Sequence, residues 1–186
     1  SAGPMPLADI NFYNKISDTD FRKLSWKAPA GSVLEGKNTY IDAATGAALP
    51  EYASLKFRPG SGNMSDFNVG SACSYPMMRV EEMYFIEAEA AAQQNPAQGV
   101  NLLNDFMSNY RDPQYKCTKS SKEDVVKEIV FQKRVELWGE GQSFFDIKRL
   151  NLPVTRGYAG TLHHTIGRFN TTTRPAWMNF CIGRRS

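Results

Sequence analysis

The sequence predicts a mainly α-helical protein built on tetratricopeptide-like helix pairs, with an irregular loop-rich lobe containing few short strands. Two observations predict it. Residues 77 to 150 carry apolar residues at helical spacing, broken by Pro and Gly where helices begin and end. Residues 1 to 76 instead collect Gly, Pro, Asn, Asp and Ser around short aromatic-bearing runs such as INFY, LSWKA, NTYI and EYASLKFRPG, a pattern of loops and short strands. Residues 151 to 186 return to loop-like sequence, including RGYAG and GRFNTTTRP.

Three helices and a short fourth fall in the middle block. The first runs from about Arg79 to Gln94 after Pro76, and its run Ala88, Ala90, Ala91 and Ala92 favours both helix and close approach of a neighbour. Pro96, a first-turn residue after Asn95, opens the second, which extends to about Tyr110 before Asp112 and Pro113 end it. Ser120 or Ser121, with Glu123 or Asp124 three residues on, makes a capping box for the third, which runs to about Trp138 before Gly139 and Gly141. SFFDIKRL then forms one or two further turns. The short connection between the first two makes an antiparallel hairpin across which the third packs. No second copy of a roughly 34-residue period occurs, so further repeats would lie outside the chain, and a lone unit would be unstable or self-associate.

A helical projection at about 100° per residue places charges inside apolar stripes. In the third helix Ile129, Val130 and Leu137 share a stripe with Lys133 near its centre, and Phe131, Val135 and Trp138 form a second. In the first, Val80, Met83, Tyr84 and Ala91 surround Glu87. A lone buried charge costs several kcal/mol, so Lys133 and Glu87 are expected to be buried in structural ion pairs, with each other or with Arg79, Glu136 or Arg134. Glu136 and Glu140, four residues apart, are also a nominal carboxylate pair for acid/base chemistry, but amphipathic helices offer such pairs by chance.

Other chemistry finds little support. A net charge of +3 over 186 residues, with Lys and Arg scattered, is not a nucleic-acid footprint. Cys73, Cys117 and Cys181 are odd in number and far apart, forming neither a disulfide framework nor a metal pair. His163 and His164 are adjacent without a further ligand, GSGN and GYAG are turns rather than phosphate loops, and nothing orders Ser, His and Asp into a triad. No catalytic residue, metal or cofactor is expected. No stretch reaches the roughly 18 apolar residues that span a bilayer, and the start lacks a secretory signal.

MMRVEEMYFIEAEAAA, GVNLLNDFMSNYRD and EIVFQKRVELWGEGQSFFDIKRL, in that order and spacing, resemble the C-terminal portion of the SusD/RagB family of outer-membrane glycan-binding lipoproteins. Arg79, Glu82 and Ala88-Glu89-Ala90 fall where the family shows Arg, Glu and Ala-Glu-Ala; Leu103-Asn104 and Arg111 follow its Leu-Asn and Arg. Glu136-Leu137, Glu140-Gly141, Phe145-Asp146 and Arg149 resemble its last series. Gln132-Lys133 replaces the usual Glu-Arg and Ser143 the usual Arg, changes expected to weaken the ion-pair network, and near the end Gly183 stands where the family has Pro. The likeness covers roughly residues 50 to 186, and residues 1 to 49 more loosely through a segment ending in Asp20-Phe21-Arg22.

The resemblance implies a binder rather than an enzyme: a cell-surface, outer-membrane lipoprotein of Bacteroidetes-type polysaccharide utilisation that delivers glycans to a TonB-dependent SusC-like transporter. It also implies an N-terminal part, missing here, with the lipid as the only membrane attachment; none of the three Cys is that lipidated residue. Sugar binding calls for aromatic faces and planar polar groups, which in the lobe are Trp26, Tyr40, Tyr52 and Phe67 with Asn38, Arg58, Asn63 and Asp66. No family motif selects these positions. The alternative reading is a helical-repeat protein-interaction scaffold without sugar affinity.

Overall fold

The structure, a computed structural model, describes residues 6–38, 43–57 and 74–178. The chain divides into two compact units, Ser1–Glu136 and Leu137–Ser186. The first contains short helices α1 (Ile10–Asn14) and α2 (Ala43–Ala48), a 3-10 turn at Phe21–Ser25, and three longer helices: α3 (Val80–Gln94), α4 (Pro96–Tyr110) and α5 (Lys122–Glu136). The second holds α6 (Gln142–Arg149) and 3-10 turns at Thr165–Gly167 and Ala176–Met178.

The helix boundaries follow local chemistry. Asn95 ends α3, its N–H donating to the Ala91 carbonyl at 2.8 Å, and its side chain accepts from the Ala97 N–H at 3.1 Å to start α4. At α5 the Ser121 hydroxyl accepts from the Asp124 N–H at 3.2 Å and donates to the Asp124 carboxylate at 2.8 Å, so Ser121 rather than Ser120 is the cap. Past α6, Asn151 takes φ 53° while the Leu152 N–H reaches back to the Ile147 carbonyl at 3.0 Å, closing the helix end with Asn in the place usually held by Gly.

Helix α3 packs against both α4 and α5. The α3–α4 contact depends on small residues: a Cβ at Gly99 would lie 2.5 Å from the Ala92 Cβ and 2.9 Å from the Ala88 carbonyl oxygen. Phe85, Leu103, Met107, Val125 and Ile129 are nearly inaccessible in the core so formed. Helix α5 is buried on two sides, as its two stripes predict, with Val126, Ile129, Val130, Lys133 and Val135 among its covered residues.

The phase of α3 differs from the expectation. Its covered face is Phe85, Ala88, Glu89 and Ala92, whereas Val80, Met83 and Tyr84 are exposed and Glu87 with them. The stripe around Glu87 exists but faces outward. A helix whose apolar and polar residues are spread almost evenly around its axis gives no periodic signal for which side is covered; here the alanines win, because they let α4 approach closely.

In the loop-rich lobe, residues 52–55 lie between two other chain segments. The Ala8 N–H donates to the Tyr52 carbonyl (2.9 Å) and the Ser54 N–H to the Pro6 carbonyl (2.9 Å), while Lys27 N–H to Ala53 (2.9 Å) and Leu55 N–H to Ser25 (2.7 Å) join the other side. Among the described residues pairing here stays at isolated bridges, Leu7 with Ala53 and Trp26 with Ser54, single contacts beside short helices. Phe12 and Tyr13 set their rings edge-on to Trp26, with centroids at 5.7 and 6.4 Å. Phe12 also meets Phe131 of α5 at 5.9 Å, fastening lobe to helix.

In the second unit two arms pair around a bridge between Thr155 and Asn170. The Arg156 N–H donates to the Phe169 carbonyl (3.0 Å) and the Thr171 N–H to the Val154 carbonyl (2.9 Å). The Asn170 amide substitutes for a backbone rung, accepting from the Gly157 N–H at 2.9 Å and donating to the Gly157 carbonyl at 2.8 Å.

Candidate functional site

Among the described residues of the first unit the densest polar constellation centres on Glu136, the last residue of α5, only 7 % exposed. Arg22, from the 3-10 turn, donates to Oε2 at 3.2 Å; Arg79, before α3, to Oε1 at 3.1 Å; Arg111, after α4, to Oε2 at 2.8 Å and Oε1 at 3.0 Å. Its carbonyl oxygen accepts from Lys56 at 2.9 Å and Arg79 at 2.8 Å. Asp20 balances the charge by pairing with Arg22 at 2.6 Å, and Glu81 by facing Arg111 at 3.3 Å. One carboxylate thus ties the ends of three helices to the lobe.

Burial alone would raise the Glu136 carboxyl, but the hydrogen bond and charge of Arg111, with the charges of Arg22 and Arg79, outweigh it and hold the group below the ordinary carboxylate range. Burial likewise opposes the charge on Arg111, and Glu136, Glu81 and Asp20 reverse that and raise its pKa. Such a carboxylate is a fastener rather than a proton donor. Glu140 does not share its helix face as a carboxylate pair requires, since α5 ends at Glu136 and Glu140 lies in the following turn.

Further polar links extend from this centre. Arg22 also donates to the Gln132 side chain, Gln132 donates to Glu128 at 2.9 Å, and the Tyr115 hydroxyl donates to the same Glu128 oxygen at 2.8 Å, its pKa pushed far up by burial and by that neighbour. Lys133 is buried as expected, and Glu82 faces it at 3.9 Å. Glu87 is exposed, so the expected Lys133–Glu87 pairing is replaced. Gln132 and Lys133, the departures expected to weaken the network, both belong to it. Arg22, Asp20 and Lys56 were missing from the expected ion pairs, although Asp20-Phe21-Arg22 already stood out as a segment; nothing in one dimension shows that it lies beside a glutamate 114 positions on.

The residues proposed for sugar contact have varied surroundings. Trp26 is 1 % exposed and enclosed by Phe12 and Tyr13, so it is a core ring and presents no open face, correcting its role as a stacking surface. Tyr52 is half-buried with φ 64°, a left-handed conformation uncommon for an aromatic residue, and its ring meets Tyr13 edge-on at 5.2 Å. Burial raises the hydroxyl pKa of both, that of Tyr13 to about 12, so each stays a neutral phenol. Asn38 is half-buried and its amide donates to the Leu24 carbonyl. Tyr40, Arg58, Asn63, Asp66 and Phe67 lie outside the described residues. Among the described residues no group of three or more His, Cys, Asp or Glu is arranged to hold a metal, and no helix is long and apolar enough to cross a membrane.

These features define a helical-repeat-like protein fastened by a buried arginine–carboxylate centre, with a loop-rich lobe. The sequence matches the SusD family over residues 23–181, and the chain belongs to that family. No curated protein matches it. Among solved structures it is similar to a SusD-like carbohydrate binding protein from Bacteroides vulgatus, with 27% sequence identity and a TM-score of 0.57, over 90% of this chain and 33% of that one. The chain therefore spans about a third of the length of that relative.

Proposed function

We propose that this chain is part of a protein that binds a poly- or oligosaccharide at the cell surface and delivers it to a TonB-dependent, SusC-like transporter during nutrient uptake. The observation that carries the reading is the family match over residues 23–181, joined to the likeness to a SusD-like carbohydrate binding protein. The protein acts as a binder and not an enzyme, held to the outer membrane as a lipoprotein through a lipid on polypeptide outside these residues. Tyr52, Asn38 and, outside the described residues, Tyr40, Arg58, Asn63, Asp66 and Phe67 remain the proposed contacts; Trp26 supports the lobe from within.

Affinity electrophoresis through gels carrying different polysaccharides tests this. Retardation by at least one glycan is expected, weakened by Tyr40→Ala or Phe67→Ala while the circular dichroism spectrum is kept. Migration unaffected by every glycan, with the chain folded, would favour a protein-interaction scaffold, a reading to which the outward stripe of Val80, Met83 and Tyr84 lends support.

A further inference from the structure

Charge is divided unequally between the two units. Residues 137–186 hold seven Lys and Arg against two acids, Glu140 and Asp146, a net of +5, whereas residues 1–136 hold fifteen against seventeen, a net of −2. The modest total of +3 conceals a basic unit.

The placement of these cations differs from that at Glu136. Lys148 and Arg149 close α6, and Arg156, Arg168 and Arg174 stand along or beside the two paired arms. Arg149 takes one of the two acids, Asp146, at 2.8 Å. The described contacts of the other three arginines are to neutral groups. The Arg156 guanidinium lies 5.3 Å from the Phe169 ring centroid, Arg168 donates to the His163 carbonyl at 2.7 Å and Arg174 to the Lys148 carbonyl at 3.1 Å. A carbonyl or a ring orients a guanidinium without cancelling its charge, so the unit keeps a positive field. The same unit exposes Trp177 and Phe145, at 62 % and 61 %.

We propose that the paired arms bind an acidic polysaccharide, one bearing carboxylates or sulfates along its length. This rests on the glycan-binding reading and adds the ligand's charge. Arginine predominates over lysine here, and its planar fork matches carboxylate and sulfate oxygens in pairs. Arg156, Arg168 and Arg174 are well separated along the chain and not gathered into a run of Lys and Arg or one face of an amphipathic helix, which disfavours an anionic membrane as the ligand.

The test is affinity electrophoresis of the 186-residue chain against polygalacturonate, dextran sulfate and neutral dextran, with sedimentation on phosphatidylglycerol vesicles alongside. Retardation by polygalacturonate or dextran sulfate is expected, and it falls as NaCl rises from about 0.1 to about 1 M, where the screening length shrinks from about 10 to about 3 Å. Replacing Arg156→Gln, Arg168→Gln and Arg174→Gln together weakens it about tenfold, each contact contributing a few-fold. Lys127→Gln, an exposed site in the first unit, leaves it unchanged. Should the triple variant fail to fold, the salt dependence of the unaltered chain decides. Salt-insensitive binding, or binding to neutral glycans alone, overturns the inference and leaves the glycan reading standing. No binding to any polysaccharide overturns both, and preference for the vesicles assigns the basic unit to a membrane instead. Unchanged affinity of a folded triple variant removes the arms as the site.

Discussion

Arginine has opposite uses in the two units. Around Glu136, Arg22, Arg79 and Arg111 come from three separate chain segments and converge on one buried carboxylate. In the second unit Arg156, Arg168 and Arg174 contact a ring and two carbonyls, neutral groups that leave their charge uncancelled. The difference follows from the acids at hand, which slightly outnumber the bases in residues 1–136 and are nearly absent from residues 137–186. A guanidinium withdrawn from water must meet an opposite charge or pay several kcal/mol in desolvation, while an exposed one needs only hydrogen-bond acceptors. Arginines that converge on a carboxylate therefore mark the fastening of the fold, and those that meet only neutral acceptors a surface able to attract a ligand.

The largest effect is expected at the buried centre. Glu136→Gln leaves three guanidiniums without their shared countercharge and costs about 3–5 kcal/mol in urea unfolding. The same group sets a pH dependence. Its folded pKa lies below the unfolded value of about 4.3, so its stabilisation is complete above that pH and is lost as pH falls through the folded pKa. Urea midpoints measured down the acid range should fall more steeply for the unaltered chain than for Glu136→Gln; parallel curves would show that Glu136 is not the stabilising anion.

A smaller loss is expected at the helix contact. Gly99→Ala gains about 1 kcal/mol of helix propensity, yet its Cβ would overlap Ala92, and the overlap dominates with a net cost of about 1–3 kcal/mol. A raised thermal midpoint would show that α3 and α4 separate easily. Asn104→Ala removes the amide that accepts from the Cys117 N–H at 2.7 Å and donates to its carbonyl at 3.4 Å, costing about 1–2 kcal/mol in the same unfolding measurement. Least affected is the second unit, where Arg168→Gln is expected to shift stability by no more than about 0.5 kcal/mol. A loss of several kcal/mol there would erase the contrast between the two uses of arginine.

Much of the helical architecture was legible in the sequence because its signals are local. Asn95, Pro96, Ser121 and Gly141 each act within a few residues, and the helices begin or end beside them. The resemblance to the SusD family was legible for a related reason: the residues that carry it are the ones the fold uses as fasteners. Arg79 and Arg111 hold Glu136, Glu82 holds Lys133, Asn104 holds the Cys117 backbone and Arg149 holds Asp146. The sugar contacts were less legible, since an aromatic residue in a loop has the same letter whether it anchors the loop or faces solvent. Trp26 proved to be an anchor.

By itself the sequence determined the helix boundaries and the family, both of which rest on residue type and short-range spacing, whereas the unequal charge emerges once the structure divides the chain after Glu136. Only the tertiary structure decided which side of α3 is covered, that Lys133 meets Glu82 while Glu87 stays in water, and that Arg22 crosses 114 positions to Glu136. The physical reason is one of range. Capping and helix propensity act over a turn of chain, but a buried charge is neutralised by whichever group the packing brings within about 4 Å, and sequence spacing does not encode that distance.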